Sequence, residues 1–155
     1  MLLWLLWLLS LGASLAIGVC ILGKHLGIKG QFLGCPMINP LCDTPSFEEC
    51  GNYYTSCTSD IMHWCWGQYL PPTQGYLSPP PPQHKSIPYN LSFYRDNRTP
   101  YVVPYLEDKE VLKDLPPSLV TTAQFDPLRD EGELLAKKLQ ECGTYNPFIF
   151  FFFLV

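Results

Sequence analysis

The chain is short of positive charge: ten Lys and Arg face fourteen Asp and Glu, for a net charge of −4 over 155 residues. Cations so few and so scattered build no basic stripe, which argues against a nucleic-acid partner. No Cys-x-x-Cys pair occurs among the seven cysteines, so a zinc ribbon or a dithiol redox motif has little support. Charge is absent altogether from Met1 to Gly23, and no Lys or Arg precedes that apolar run. A secretory signal peptide therefore fits poorly, although Ser14-Leu15-Ala16 offers a small-residue cleavage site.

Two readings of that run stay open. About 20 apolar residues suffice to span a bilayer as a helix, and Lys24, His25 and Lys29 follow as flanking positive charge. The same residues can instead form a buried strand and helix. A membrane or endoplasmic-reticulum-lumen location is the first expectation, with the cytoplasm as the other. Five cysteines, Cys35, Cys42, Cys50, Cys57 and Cys65, lie close together. They read as buried thiols, with one or two disulfides in an oxidising compartment. There the sequons at Asn90 and Asn97 would also accept glycans.

The length suits one domain. Hydrophobic residues make up 47% of it and gather at the two ends, "MLLWLLWLLSLGASLAIGVCILG" and "FIFFFFLV". Between Gly30 and Pro36 a short apolar run reads as a buried strand. A short helix carrying Ile61, Met62, Trp64, Cys65 and Tyr69 is expected, capped by Ser59 or Asp60. Residues 71–104 hold most of the prolines and read as a long loop or excursion. After Pro116-Pro117, "SLVTTAQF" is β-branched and apolar, as in a parallel strand covered on both faces.

A helix follows over Asp130–Glu141, with Leu134, Leu135 and Leu139 on its apolar side, Lys137, Lys138 and Gln140 on its wet side, and Gly143 as C-cap. Asp130 and Glu131 read as first-turn charges favoured by the helix dipole. Asp126 falls at the strand's carboxyl end, where open α/β sheets gather functional groups.

"LKDLPPSLVTTAQFDPLRDEGELLAKKLQECG" resembles the acid-bearing segment of α/β-hydrolases of the hormone-sensitive lipase group, which includes arylacetamide deacetylases and many carboxylesterases. "IKGQFLGCPMINPLCDTPSFEECGNYYTS" is similar to that family's preceding strand and the entry to its cap. The resemblance implies that Asp126 is the acid of a Ser-Asp-His triad, holding an imidazole in the correct tautomer. It also aligns Leu8-Leu9-Ser10-Leu11-Gly12-Ala13 with the nucleophile elbow G-D-S-A-G-G, which puts Ser10 at the nucleophile. Leu8, Leu9 and Ala13 depart from that pattern, and Leu8 is a bulky residue in a turn that needs close approach.

The implied fold is a mainly parallel sheet with flanking helices, of which this chain would cover about the carboxyl-terminal half. It is a single partial domain: an apolar segment at 1–23, a cap-like and loop region at 43–104, the acid-bearing strand, loop and helix at 116–143, and a divergent apolar tail at 144–155. The implied substrate is a small lipophilic ester or amide, and the chemistry calls for no metal or organic cofactor. The family's triad order is Ser, Asp, His. The three histidines, His25, His63 and His84, all precede Asp126, and each reads as a solvated or core residue. No HGGG oxyanion motif is present either. The expectation is thus an esterase-type hydrolase, catalytically incomplete in this chain; the alternative is a membrane-anchored luminal module without enzymatic activity.

Overall fold

The computed structural model describes residues 5–52, 58–70, 108–144 and 147–151. The apolar run at the amino terminus breaks at Ser10 into a strand, β1 (Leu5–Leu9), and a helix, α1 (Leu11–Leu22). A 3-10 turn over Lys24–Leu26 ends in Gly27, whose φ of 67° redirects the chain into β2 (Gly30–Gly34). Two helices follow, α2 (Pro45–Cys50) and α3 (Ser59–Tyr69). After them come a single turn α4 (Lys109–Leu112), strand β3 (Ser118–Ala123), helix α5 (Arg129–Glu141) and strand β4 (Phe148–Phe151).

All four strands run parallel in the order β1-β2-β3-β4. Parallel strands need covering on both faces, which is why β2 and β3 are apolar without clean alternation. Leu33 of β2 and Val120 of β3 are fully buried against Ala13, Ala16, Ile17 and Cys20 of α1 and Leu135, Ala136 and Leu139 of α5. Small residues on the inner side of α1 let it lie close to the sheet. Helix α5 also lies close to the sheet: a Cβ on Gly132 would sit 2.1 Å from Thr122 Cγ2, so only glycine fits where helix crosses strand. A second cluster joins Met37, Cys42, Phe47, Met62, Trp66, Leu70 and Leu128, and so seats α3 beside the residues that follow β2 and β3.

A helix spanning the membrane over Met1–Gly23 is replaced by the strand and helix of residues 5–22, and no helix of the described residues is long and apolar enough to cross a membrane. The cap of α3 is Thr58, one residue before the expected Ser59, its hydroxyl accepting the Ile61 N–H at 3.3 Å. Leu134 is 40% exposed and lies off the apolar side of α5, where Ala136 takes its place. Gly143 follows the C-cap, Cys142, with a φ of 78°. The tail expected to diverge supplies β4, paired with β3 from Val120↔Phe148 to Ala123↔Phe151. Cys20, Cys42 and Cys50 are buried free thiols, and burial raises each of them so that they stay protonated at neutral pH. The proline-rich stretch 71–104, His84, Cys57 and both sequons lie outside the described residues.

Candidate active site at the carboxyl rim of the sheet

Ser10 stands where β1 ends and α1 begins, with φ 52° and ψ −125°. A non-glycine residue at positive φ costs on the order of 1–3 kcal/mol and persists only where its surroundings over-determine it. Three backbone hydrogen bonds do so here. Ser10 N–H donates to Gly34 O at 2.9 Å, and Ser10 O accepts from Ala13 N–H at 2.9 Å and from Met37 N–H at 3.4 Å. The result is a sharp strand-to-helix turn that presents the serine at the rim, the geometry of a nucleophile elbow.

The bulky residue next to Ser10 does not prevent this turn. Leu9 is 64% exposed, pointing off the rim. Its register partner in β2 is Gly34, and a Cβ there would sit 2.2 Å from Leu9 Cδ2. The missing side chain on β2 makes room for the extra one on β1. Beyond the serine, Leu11 supplies the first N–H of α1, at the positive end of the helix dipole. In an elbow of this kind that N–H is one of the oxyanion donors.

Asp126 sits three residues past the end of β3 and is half-buried. Its Oδ1 accepts the Leu128 N–H at 2.7 Å, an Asx-type turn that fixes the carboxylate, while its backbone C=O accepts the Arg129 N–H at 3.0 Å. Pro127 and Leu128 are buried behind it. Strands β1 and β3 are two inter-strand spacings apart, about 10 Å. Ser10 and Asp126 thus both follow the carboxyl ends of strands of one parallel sheet, β1 and β3, with β2 between them.

The rest of the DPLRDEG motif faces inward, which the first-turn reading of its acids did not anticipate. Asp130 Oδ2 accepts the Ser46 N–H at 2.8 Å, and Ser46 Oγ accepts the Asp130 N–H at 3.2 Å and donates to Pro127 O at 2.6 Å. Arg129 joins Glu49 of α2 at 2.7 Å, Asp130 at 3.0 Å and the Gln124 carbonyl at 2.8 Å. Glu131 is fully buried, and its Oε2 accepts the N–H groups of Ile38 at 2.6 Å and Asn39 at 2.8 Å.

Burial pushes the Glu131 carboxyl up to about 8; the two N–H donors oppose that rise, and the nearby Asp43 and Asp126 add to it. Ser46 of DTPS and Asp130 of RDE are joined only by the fold, and neither motif announces the other in the sequence. Both described histidines precede Asp126 in the chain, the reverse of the family's Ser, Asp, His order. His25 follows the far end of α1, about 18 Å along the helix from Ser10. His63 lies on α3, where burial lowers its pKa and Asp60 partly offsets the effect.

The chain is similar to known proteins in sequence and fold. The family model described as alpha/beta hydrolase fold matches residues 9–151. An esterase from Rhizomucor miehei superposes on 94% of the chain with a TM-score of 0.73 and 29% identity. A thermostable esterase from Pseudomonas putida also gives 0.73, at 28% identity, and the hyperthermophilic esterase of the archaeon Pyrobaculum calidifontis gives 0.66 at 32% identity, each over 94% of the chain. Of those three structures the chain covers 39%, 40% and 41%.

Among curated proteins, the carboxylic ester hydrolase LipN of Mycobacterium tuberculosis is 49% identical over 58 residues, 36% of this chain and 15% of LipN. An arylesterase of Saccharolobus solfataricus is 38% identical over 62 residues, 37% of this chain and 20% of that protein. With a parallel sheet, a strained serine between its first strand and helix, and a family match over nearly its whole length, the chain belongs to the alpha/beta hydrolase fold family and is esterase-like within it.

Proposed function

We propose that this chain carries the nucleophile and acid positions of a serine carboxylic-ester hydrolase of the hormone-sensitive lipase and arylacetamide deacetylase group, and that it is catalytically incomplete by itself. The observation that carries the reading is the backbone of Ser10, φ 52° and ψ −125°, held at the head of α1 on the same rim as Asp126. In such chemistry the Ser10 Oγ attacks the acyl carbon of a small lipophilic ester or arylamide. An imidazole takes its proton, Asp126 orients and stabilises that imidazole, and the Leu11 N–H contributes to holding the oxyanion. Incompleteness is supported by where the histidines stand: His25 at the opposite end of α1, and His63 and His84 ahead of the acid in a family whose order is Ser, Asp, His.

The test is hydrolysis of p-nitrophenyl butyrate by the 155-residue chain and by Ser10→Ala. Equal rates at the buffer background are expected. Turnover lost in Ser10→Ala would overturn the incompleteness while keeping the serine, and turnover kept in Ser10→Ala would remove Ser10 from the site.

A further inference from the structure

The residues just after β2 stand between the two halves of the rim. On one side Met37 N–H donates to Ser10 O at 3.4 Å, and the buried Ser14 hydroxyl of α1 donates to Met37 O. On the other side the next two amides, of Ile38 and Asn39, both converge on a single carboxylate oxygen of Glu131. Glu131 itself is fixed on the first turn of α5, whose contact with β3 leaves room only for Gly132. No other described side chain accepts either amide.

We infer that Glu131 is a positioning residue for the Ser10 elbow, acting through Met37, Ile38 and Asn39 to hold the strained serine in place. The inference rests on the reading of Ser10 as the nucleophile position. A positive φ at Ser10 relaxes unless its C=O is held, and one of the two amides holding it belongs to the segment that Glu131 anchors. The anchor is short and dry: one carboxyl oxygen accepts both backbone N–H groups, at 2.6 and 2.8 Å, in a fully buried site where hydrogen bonds are stronger than in water. It also ties the acid loop to the serine turn, since Glu131 and Asp126 belong to one continuous turn and helix start. Motion in either half of the rim therefore reaches the other through this segment.

Hydrogen–deuterium exchange of the full chain, read by mass spectrometry, tests the link without relying on activity. In Glu131→Ala, peptides covering Ser10–Ala13 and Met37–Asn39 are expected to exchange about tenfold faster or more, the size of leaving one buried N–H without its acceptor. Peptides over the last turns of α5 are expected to keep wild-type rates. Loosening of Met37–Asn39 with Ser10–Ala13 unchanged would overturn the inference.

Should Glu131→Ala unfold, seen as uniformly fast exchange, the comparison moves to Glu131→Gln, whose neutral oxygen still accepts both amides. Elbow and segment are then expected to loosen together but by less, and loosening of the segment alone overturns the inference here too. Because exchange is independent of turnover, a failed esterase assay and a failed link are told apart.

Discussion

At Ser10 the chain holds a conformation that L-residues avoid, and the serine bears that cost in the folded state. Replacing it by glycine removes the steric penalty without touching the three backbone hydrogen bonds that define the turn. Ser10→Gly is therefore expected to be more stable than Ser10→Ala by about 1 kcal/mol in urea unfolding. An alanine variant as stable as the glycine variant would mean that the turn stores no strain.

Glu131 has a second consequence, in pH. Its folded value is raised from 4.5 to about 8, so between those two values the folded chain holds a proton that the unfolded chain has released. Stability from this group is present below the unfolded value and is lost as pH climbs through the folded one, by an amount on the order of a few kcal/mol. Half-buried His63, with its pKa lowered, acts in the opposite sense and at lower pH. The difference between wild type and Glu131→Gln isolates the glutamate: the wild type loses stability between pH 5 and pH 9 relative to the variant. Parallel pH profiles for the two proteins would contradict this assignment.

At the scale of elements, what could be read in advance depended on punctuation. β2 lies between Gly30 and Pro36, β3 follows Pro116-Pro117, and α5 begins within one residue of its expected start because charge, apolar spacing and a terminal glycine all mark it. The run from Met1 to Gly23 has no charge or proline to show where strand gives way to helix, and its hydrophobicity suits a buried strand, a buried helix or a bilayer span equally. Only the family register located Ser10 there. Leu134 was misplaced because helical spacing marks a stripe but not how far the sheet beneath it extends.

The staple between Ser46 and Asp130, and that between Ile38–Asn39 and Glu131, were illegible for another reason. They join residues more than 80 positions apart, and nothing local announces them. Two substitutions probe this level. Gly132→Ala forces α5 off β3 and is expected to cost 1–3 kcal/mol or more, as overpacking does. Leu33→Ala, which empties a fully buried site beneath α1 and α5, is expected to cost about 2–5 kcal/mol. Denaturation midpoints check both, and a neutral Gly132→Ala would show that the helix rides farther from the strand than described.

For the whole molecule, β1 forms one edge of the described sheet, and beside it Leu15, Val19 and Leu22 of α1, with Leu26 just beyond, form an exposed apolar stripe. An open parallel edge next to such a stripe favours association. The 155-residue chain is expected to elute from a sizing column as a self-associated species, and Leu15→Lys together with Leu22→Lys to shift it toward a monomer. A monomeric wild-type chain would contradict this.

In the proposed reading the rim presents an elbow serine and its acid with no base assigned among the described residues to activate them. The most direct measurement is the intact mass of the purified chain, 17.7 kDa, after exposure to a fluorophosphonate that reacts only with activated serines. An unchanged mass is expected; a gain of one adduct that disappears in Ser10→Ala would contradict the proposed incompleteness.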